Sequence, residues 1–384
     1  MLHRRRFLSS LALGAGAVTL FPGLALAAAH TDRRFVFIIQ RGAADGLDVL
    51  RPYADPDFNR LRRPLLEAGE LGTKLDGTFA LHPSLGETAS LYQAGQALLV
   101  HAVASPYRDR SHFDGQNVLE TGGTQPYAIK DGWLNRLLAL APQSGDAIAI
   151  GNTIPMALRG KVGVGSYAPS DLSAPSEDLK YRVAKLYGED ERLHPLWASA
   201  TEAQMLAGDV AGRQGPEGMG RLTASFLARP DGPRIAMIET TGWDTHNAQA
   251  TRLSNQLKSL DRLIAGLKSG LGSEWDKTVV LVATEFGRTA ALNGTNGTDH
   301  GTGSAALILG GAVKGGRVIA DWPGLAPSNL YEGRDLKPTL SLDRLIASTA
   351  AQALNLDPDR VRRDLFPAIG TAPLLDGLVS PGRA

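Results

Sequence analysis

At 384 residues, with 43% hydrophobic content and a formal net charge of +1, the chain can bury a large core, and its charge balance argues against nucleic acid or an anionic surface as a partner. It contains no cysteine, which removes thiolate catalysis, iron–sulfur clusters and zinc–thiolate sites and leaves stability to the core and to any bound metal.

The chain opens on Arg4, Arg5, Arg6, Phe7 and Leu8, followed by a Leu/Ala/Gly stretch that runs to Ala29. This is the pattern of a twin-arginine export signal, and Ala25-Leu26-Ala27 or Ala27-Ala28-Ala29 offers the small residues that cleavage needs. Gly14, Gly16, Pro22 and Gly23 interrupt the stretch, which argues against an uncleaved anchor needing ~20 apolar residues. No other segment is long and apolar enough to span a bilayer. The expectation is a mature chain from residue 30, exported folded by the twin-arginine translocase to the periplasm, with no stable membrane span.

Apolar, β-branched runs then alternate with helical periodicity, the order expected of an α/β sheet covered on both faces. Strands are predicted over 35–40, 97–103, 147–150, 235–240, 278–283 and 305–309, and helices over 83–94, 112–121, 218–228, 248–270 and 341–354. The clearest helix is 248–270, where Leu253, Leu257, Leu260, Leu263, Ile264 and Leu267 mark one apolar face. Signals weaken around 122–217, which reads as loops and helices inserted into one domain spanning 30–384.

Chemistry-bearing residues sit beside these strands. Asp45 follows the first strand in a small-residue turn, where it can ligate a metal or cap local backbone amides. Ser111 precedes the 112–121 helix; its hydroxyl can be a nucleophile favoured by the helix dipole, or a plain N-cap. Asp244 and His246 follow the 235–240 strand in a loop spacing suited to two metal ligands. Glu285 and Arg288 follow the next strand: the carboxylate can ligate, act as a base or pair with Arg288, and Arg288 can clamp an anionic substrate. Asp299 and His300 reverse the order, standing just before the 305–309 strand, and complete the candidate ligand set. In open α/β sheets ligands bind outside the carboxyl ends of the strands, so one sheet edge would gather these groups.

The motifs RGAADGLDVL (41–50), LHPSLGE (81–87), SHFDGQNVLETG (111–122), GWDTHNAQ (242–249), EFGRT (285–289) and GTDHGTGS (297–304), with the twin-arginine leader, resemble the DUF1501 family of exported proteins over nearly the whole mature chain. That family is similar in turn to the alkaline phosphatase and sulfatase superfamily. The resemblance implies a three-layer α/β sandwich with a mostly parallel central sheet and a hydrolase of phosphate or sulfate esters holding one or two divalent ions, with zinc, manganese, magnesium and calcium all compatible with a mixed oxygen and nitrogen set. Carried over residue by residue, Ser111 is the nucleophile, Asp45 and Glu285 serve the ion nearest it, and Asp244, His246 and His300 serve the second. Asp299 or His112 then supports a ligand or donates a proton. The implied partner is an anionic ester substrate or a cell-envelope component. Two departures stand out: Glu285-Phe286 replaces the superfamily's Asp-His pair, and no Cys-x-Pro-x-Arg motif exists. A non-catalytic exported binding protein with a degenerate metal site is the alternative these departures favour.

Overall fold

All seven residues of strand β1 (Arg34–Gln40) are buried, because both faces of the sheet it belongs to are covered. The computed structural model describes residues 31–380 apart from 67–69, 142–146, 169–175, 192, 195–196, 198–200 and 202–214. The export leader and its cleavage region lie outside the described residues. Along β1 the side chains alternate between two cores: Phe35, Phe37 and Ile39 enter one, and Val36 and Ile38 enter the other.

In chain order the remaining strands are β2 (Leu50–Arg51), β3 (Thr73–Lys74), β4 (Ala80–Leu81), β5 (Ala97–Ala104), β6 (Ala147–Ile150), β7 (Gly165–Tyr167), β8 (Ile235–Thr240), β9 (Thr278–Thr284), β10 (Ser304–Leu309), β11 (Arg317–Ile319) and β12 (Leu340–Ser341). β2, β4 and β3 make a small separate sheet. The main sheet runs β11-β5-β10-β9-β1-β8-β6-β7, with β12 beside β5. β1 pairs in parallel with β8 and β9, while β10 is antiparallel to both of its neighbours. That single reversal accounts for the sequence order in which Asp299 and His300 precede their strand rather than follow it. The start of β10 lies at the same edge as the ends of β1, β8 and β9.

The helices are α1 (Gly46–Val49), α2 (Pro56–Leu66), α3 (Gly86–Gln93), α4 (His112–Thr121), α5 (Trp133–Leu140), α6 (Glu177–Tyr187), α7 (Pro216–Leu227), α8 (Gln249–Leu271), α9 (Leu342–Leu354) and α10 (Pro358–Leu365). α5 and α9 pack on one face of the sheet, and α7, α8 and α3 on the other. The result is a three-layer α/β arrangement with a large, mostly parallel sheet. On α8 the six apolar residues read from the sequence are all buried, each contributing roughly 1.5–3 kcal/mol by area, an upper estimate given residual burial in the unfolded chain. Among the elements the sequence did not announce, β7, β11 and β12 have three residues or fewer, too few for a period to register; the helices α2, α5 and α10, of 8 to 11 residues, were not read either.

Two buried histidines make the fold acid-sensitive. His101 on β5 is fully enclosed: one ring nitrogen faces the Leu50 carbonyl at 2.8 Å, and Nδ1 accepts from the Ala102 amide at 2.8 Å. Burial pushes it from 6.5 down to about 4, and burial does the same to His82. The folded state therefore binds fewer protons than the unfolded chain below pH 6.5. The two histidines' contribution to stability is full above that pH, falls toward pH 4 and levels off beyond it. His101 alone accounts for roughly 3 kcal/mol of this loss. His101→Gln is expected to flatten, without abolishing, the fall in urea midpoint between neutral pH and pH 4; an unchanged pH profile would contradict this account.

Candidate metal centre

Four strand ends and one helix start build the site. The β1 end carries the turn at Gly42, whose φ of +118° suits glycine; a Cβ there would stand 2.7 Å from the Asp244 backbone nitrogen. This close approach lets the loop after β8 fold over the end of β1. The segment after β9 pairs antiparallel with the segment before β10, through Gly301 N to Gly287 O at 2.8 Å and Thr289 N to Asp299 O at 2.9 Å. A Cβ on Gly287 would lie 1.8 Å from the Gly303 carbonyl oxygen, so only glycine permits that pairing. It sets Arg288 opposite His300. α4 supplies His112 at its first residue.

Four nitrogens converge on one oxygen. Asp244 Oδ1 lies 2.8 Å from Arg288 Nη2, 3.0 Å from His246 Nε2, 3.3 Å from His300 Nε2 and 3.4 Å from His112 Nε2. His246 Nε2 and His300 Nε2 are themselves 3.0 Å apart. The ligand-type atoms of His112, Asp244 and His300 all lie within 4.8 Å of one another, the one group among the described residues with this property.

Each imidazole is held from behind by an oxygen. His112 Nδ1 faces Glu285 Oε1 at 2.9 Å, His246 Nδ1 faces Asp299 Oδ1 at 3.2 Å, and His300 Nδ1 faces the Arg110 carbonyl at 2.9 Å. These acceptors select the tautomer with the proton on Nδ1, which turns the Nε2 lone pairs inward. Three inward lone pairs beside a carboxylate repel one another unless a cation or shared protons sit among them. The buried His112 Nε2 meets no hydrogen-bond geometry, since the contact with Asp244 is long. The donor set of imidazole nitrogen and carboxylate oxygen fits a divalent ion such as zinc or manganese.

Charges at the site are arranged to keep the carboxylates ionised. The hydrogen bond that His112 donates to Glu285 raises the pKa of His112 above its ordinary value, against burial. Burial would raise Glu285, but hydrogen bonds from His112, Gln116 and the Gly42 amide hold it below the usual carboxylate range. Asp244 is likewise lowered: burial opposes this, and Arg288 followed by the three histidines overcomes it. His300 is lowered by burial and by the neighbouring His112. Phe286 is no gap in the ligand set. It is buried and stacks on His112, with ring centroids 5.1 Å apart and planes at 19°.

Several sequence-derived assignments change. Asp45 is fully buried and both its oxygens are used: Arg62 pairs with them, Gln249 donates to Oδ2, and Asp45 caps α1 through the Leu47 amide. Asp45, which the resemblance gave to the ion nearest Ser111, is instead paired with a guanidinium and belongs to the capping reading. Glu285 is also fully enclosed, taken up by Gly42 N at 2.8 Å, His112 and Gln116 Nε2 at 3.0 Å, so its Oε1 is occupied and it orients the His112 ring. Asp299 does the same for His246. His112, expected as a helper, stands among the ligand candidates. Arg288 pairs with Asp244 and not with Glu285, and its Nε and Nη1 are buried with no hydrogen-bond partner. Ser111 is the N-cap of α4 with no capping hydrogen bond from its side chain, and its amide donates to Tyr107 Oη at 3.2 Å. The sequence reading missed Arg62. Its signal was present, since Phe58, Arg62 and Leu65 share the helical spacing of the buried face of α2.

A sequence profile described as "Protein of unknown function (DUF1501)" matches residues 173–366, about half of the chain. The chain belongs to the DUF1501 family. The matched segment contains Asp244, His246, Glu285, Arg288, Asp299 and His300, while the motifs at 41–50, 81–87 and 111–122 lie ahead of it. No curated protein matches the sequence. Among solved structures, the C-terminal periplasmic domain of EcEptC from Escherichia coli, in complex with Zn, is similar at 10% identity and a TM-score of 0.43 over 95% of each chain. Alkaline phosphatase from the Antarctic bacterium TAB5 is similar at 11% identity and a TM-score of 0.38, over 84% of this chain and 98% of that one. A protein in the alkaline phosphatase superfamily from Vibrio parahaemolyticus reaches 13% identity and a TM-score of 0.39 over 83% and 71%. Likeness at this level says nothing of chemistry, which rests on the site of this DUF1501 chain itself.

Two substitutions separate the arginine-held carboxylate from the histidine-held one. Arg62→Met strands a buried charge on Asp45 and is expected to cost roughly 3–5 kcal/mol in urea unfolding, with metal content per folded chain unchanged. Glu285→Ala frees the His112 ring and is expected to weaken metal affinity about 10–100-fold. Equal metal affinity in Glu285→Ala and the parent, measured by competition with a chelator, would remove Glu285 from the site.

Proposed function

We propose that this protein is a metal-dependent hydrolase of phosphate or sulfate esters, carried folded through the twin-arginine translocase and acting in the periplasm as one domain over residues 30–384. The observation that supports this most is the compact group of His112, Asp244 and His300, with His246 Nε2 also on Asp244 Oδ1 and each imidazole backed by its own acceptor. Export is supported by the leader sequence and the absence of cysteine, and no helix among the described residues is long and apolar enough to cross a membrane.

His112, Asp244, His246 and His300 would hold one divalent ion; a second is not called for, since Arg62 neutralises Asp45. When bound, such an ion supplies Lewis acidity toward an ester or water oxygen. The anionic character of the substrate is supported by Arg288, which is buried with two nitrogens, Nε and Nη1, unsatisfied and so favours an incoming oxyanion. Ser111 stands one residue before His112, half-buried, at the positive end of a helix whose amides its side chain leaves uncapped. Its Oγ would attack phosphorus or sulfur; the Oγ–P or Oγ–S bond forms as the bond to the ester oxygen breaks, the leaving alcohol takes up a proton, and water then releases the acid and restores the serine. Glu285 and Asp299 keep the imidazoles oriented through this cycle.

Elemental analysis of the mature chain, purified without chelators, tests this reading beside an Asp244→Ala/His300→Ala variant and Ser111→Ala. The expected outcome is one ion per chain, lost in the double variant and kept in Ser111→Ala, with turnover of p-nitrophenyl phosphate or sulfate lost in both. No ion above background after divalent metals are supplied would sink the hydrolase. A retained ion without turnover of any ester would instead favour an exported binding protein.

A further inference from the structure

A second cavity, of about 260 Å³, opens between the end of β5, the start of α9 and residues 368–369. Its walls are apolar at Pro106, Pro338, Leu340 and Ile369, and two opposite charges stand in it, Asp343 and Arg108. Asp343 is 2% exposed, and its buried Oδ1 has no hydrogen-bond partner. Such a carboxyl is expensive to bury, and burial pushes it up to about 7, with Arg108 the one charge that opposes the rise. Arg108 is itself buried enough to be lowered, and its Nη1 is spent on the Ser105 and Tyr107 carbonyls. Each group senses the other's charge, yet among the described residues no ion pair joins them. An acid and a base thus face one cleft across a gap that neither closes.

We propose that this cleft binds a small zwitterionic amine of the amino-acid class, its ammonium on Asp343 and its carboxylate on Arg108, with an aliphatic side chain against Pro106, Pro338 and Leu340. A simple cation would meet Arg108, and a simple anion would meet Asp343. A ligand carrying both charges compensates the buried Asp343 and the half-buried Arg108 at once. The volume suits a molecule smaller than a drug-sized ligand. The cleft stands apart from the metal centre; Ser105, which accepts from Arg108, donates its hydroxyl to the Glu285 carbonyl at 3.3 Å.

Calorimetric titration of the full mature chain with L-leucine, 3-methylbutylamine and 4-methylpentanoate tests the assignment, since the two analogues each lack one charge. L-Leucine is expected to bind at least about tenfold more tightly than either analogue. Asp343→Asn, nearly isosteric and relieved of a buried charge, should fold with unchanged circular dichroism and unchanged metal content, and lose at least about tenfold in affinity for L-leucine. Arg108→Met should do the same. Absence of binding by L-leucine or glycine at about 10 mM, or equal binding by parent and Asp343→Asn, overturns the proposal. So does an amine that binds as tightly as leucine, because Arg108 would then contribute nothing.

Discussion

One carboxylate oxygen, Asp244 Oδ1, organises the carboxyl edge of this sheet. Three imidazoles and a guanidinium reach it from four different chain segments. None of those groups would settle there without it, because two facing imidazole nitrogens repel and a buried arginine demands an anion. The oxygen in turn depends on where the loop after β8 runs, and that path depends on Gly42, where any side chain would collide with the Asp244 backbone.

The two buried carboxylates near this edge are handled in opposite ways. Asp45 meets a permanent cation, Arg62, together with an amide and a helix start, and is thereby closed to any other partner. Glu285 meets neutral and titratable donors, and it transmits its charge to the ring of His112. The difference is physical. A guanidinium cannot leave or be exchanged, whereas an imidazole can give up its proton and offer a lone pair. One carboxylate therefore closes on a permanent cation and the other orients an imidazole.

Rigidity behind the ligands follows from the same edge. Phe286 stacks on His112 and packs near Tyr107, while Asn293 and Thr295 tie the loop before His300 to the His246 backbone. A site whose rings are fixed from behind loses little freedom on taking up an ion. Arg288 completes the arrangement, with Nη2 on Asp244 and the buried Nε and Nη1 unsatisfied.

Much of the architecture was legible in the chain. Both faces of the central strands are buried, so 35–39, 235–238 and 279–283 read as unbroken apolar runs, and the long period of α8 names its own buried face. Residue types at strand ends likewise announced a site, because imidazole and carboxylate beside buried strands have few other uses. What the chain could not announce was the pairing of charges. Asp45 and Asp244 follow strands in similar turns, yet one meets Arg62 from α2 and the other meets three histidines. Nothing local distinguishes them. Phe286 looked like a lost ligand, although the ring that serves comes from His112 on a different segment. The sequence by itself determined the six longer strands, the longest helices and the set of groups available at the edge, since those follow from local periodicity and residue chemistry. Tertiary structure decided which carboxylate is closed by Arg62 and which faces three imidazoles beside Arg288, because that choice depends on the reversed direction of β10 and on close backbone approaches between segments hundreds of residues apart.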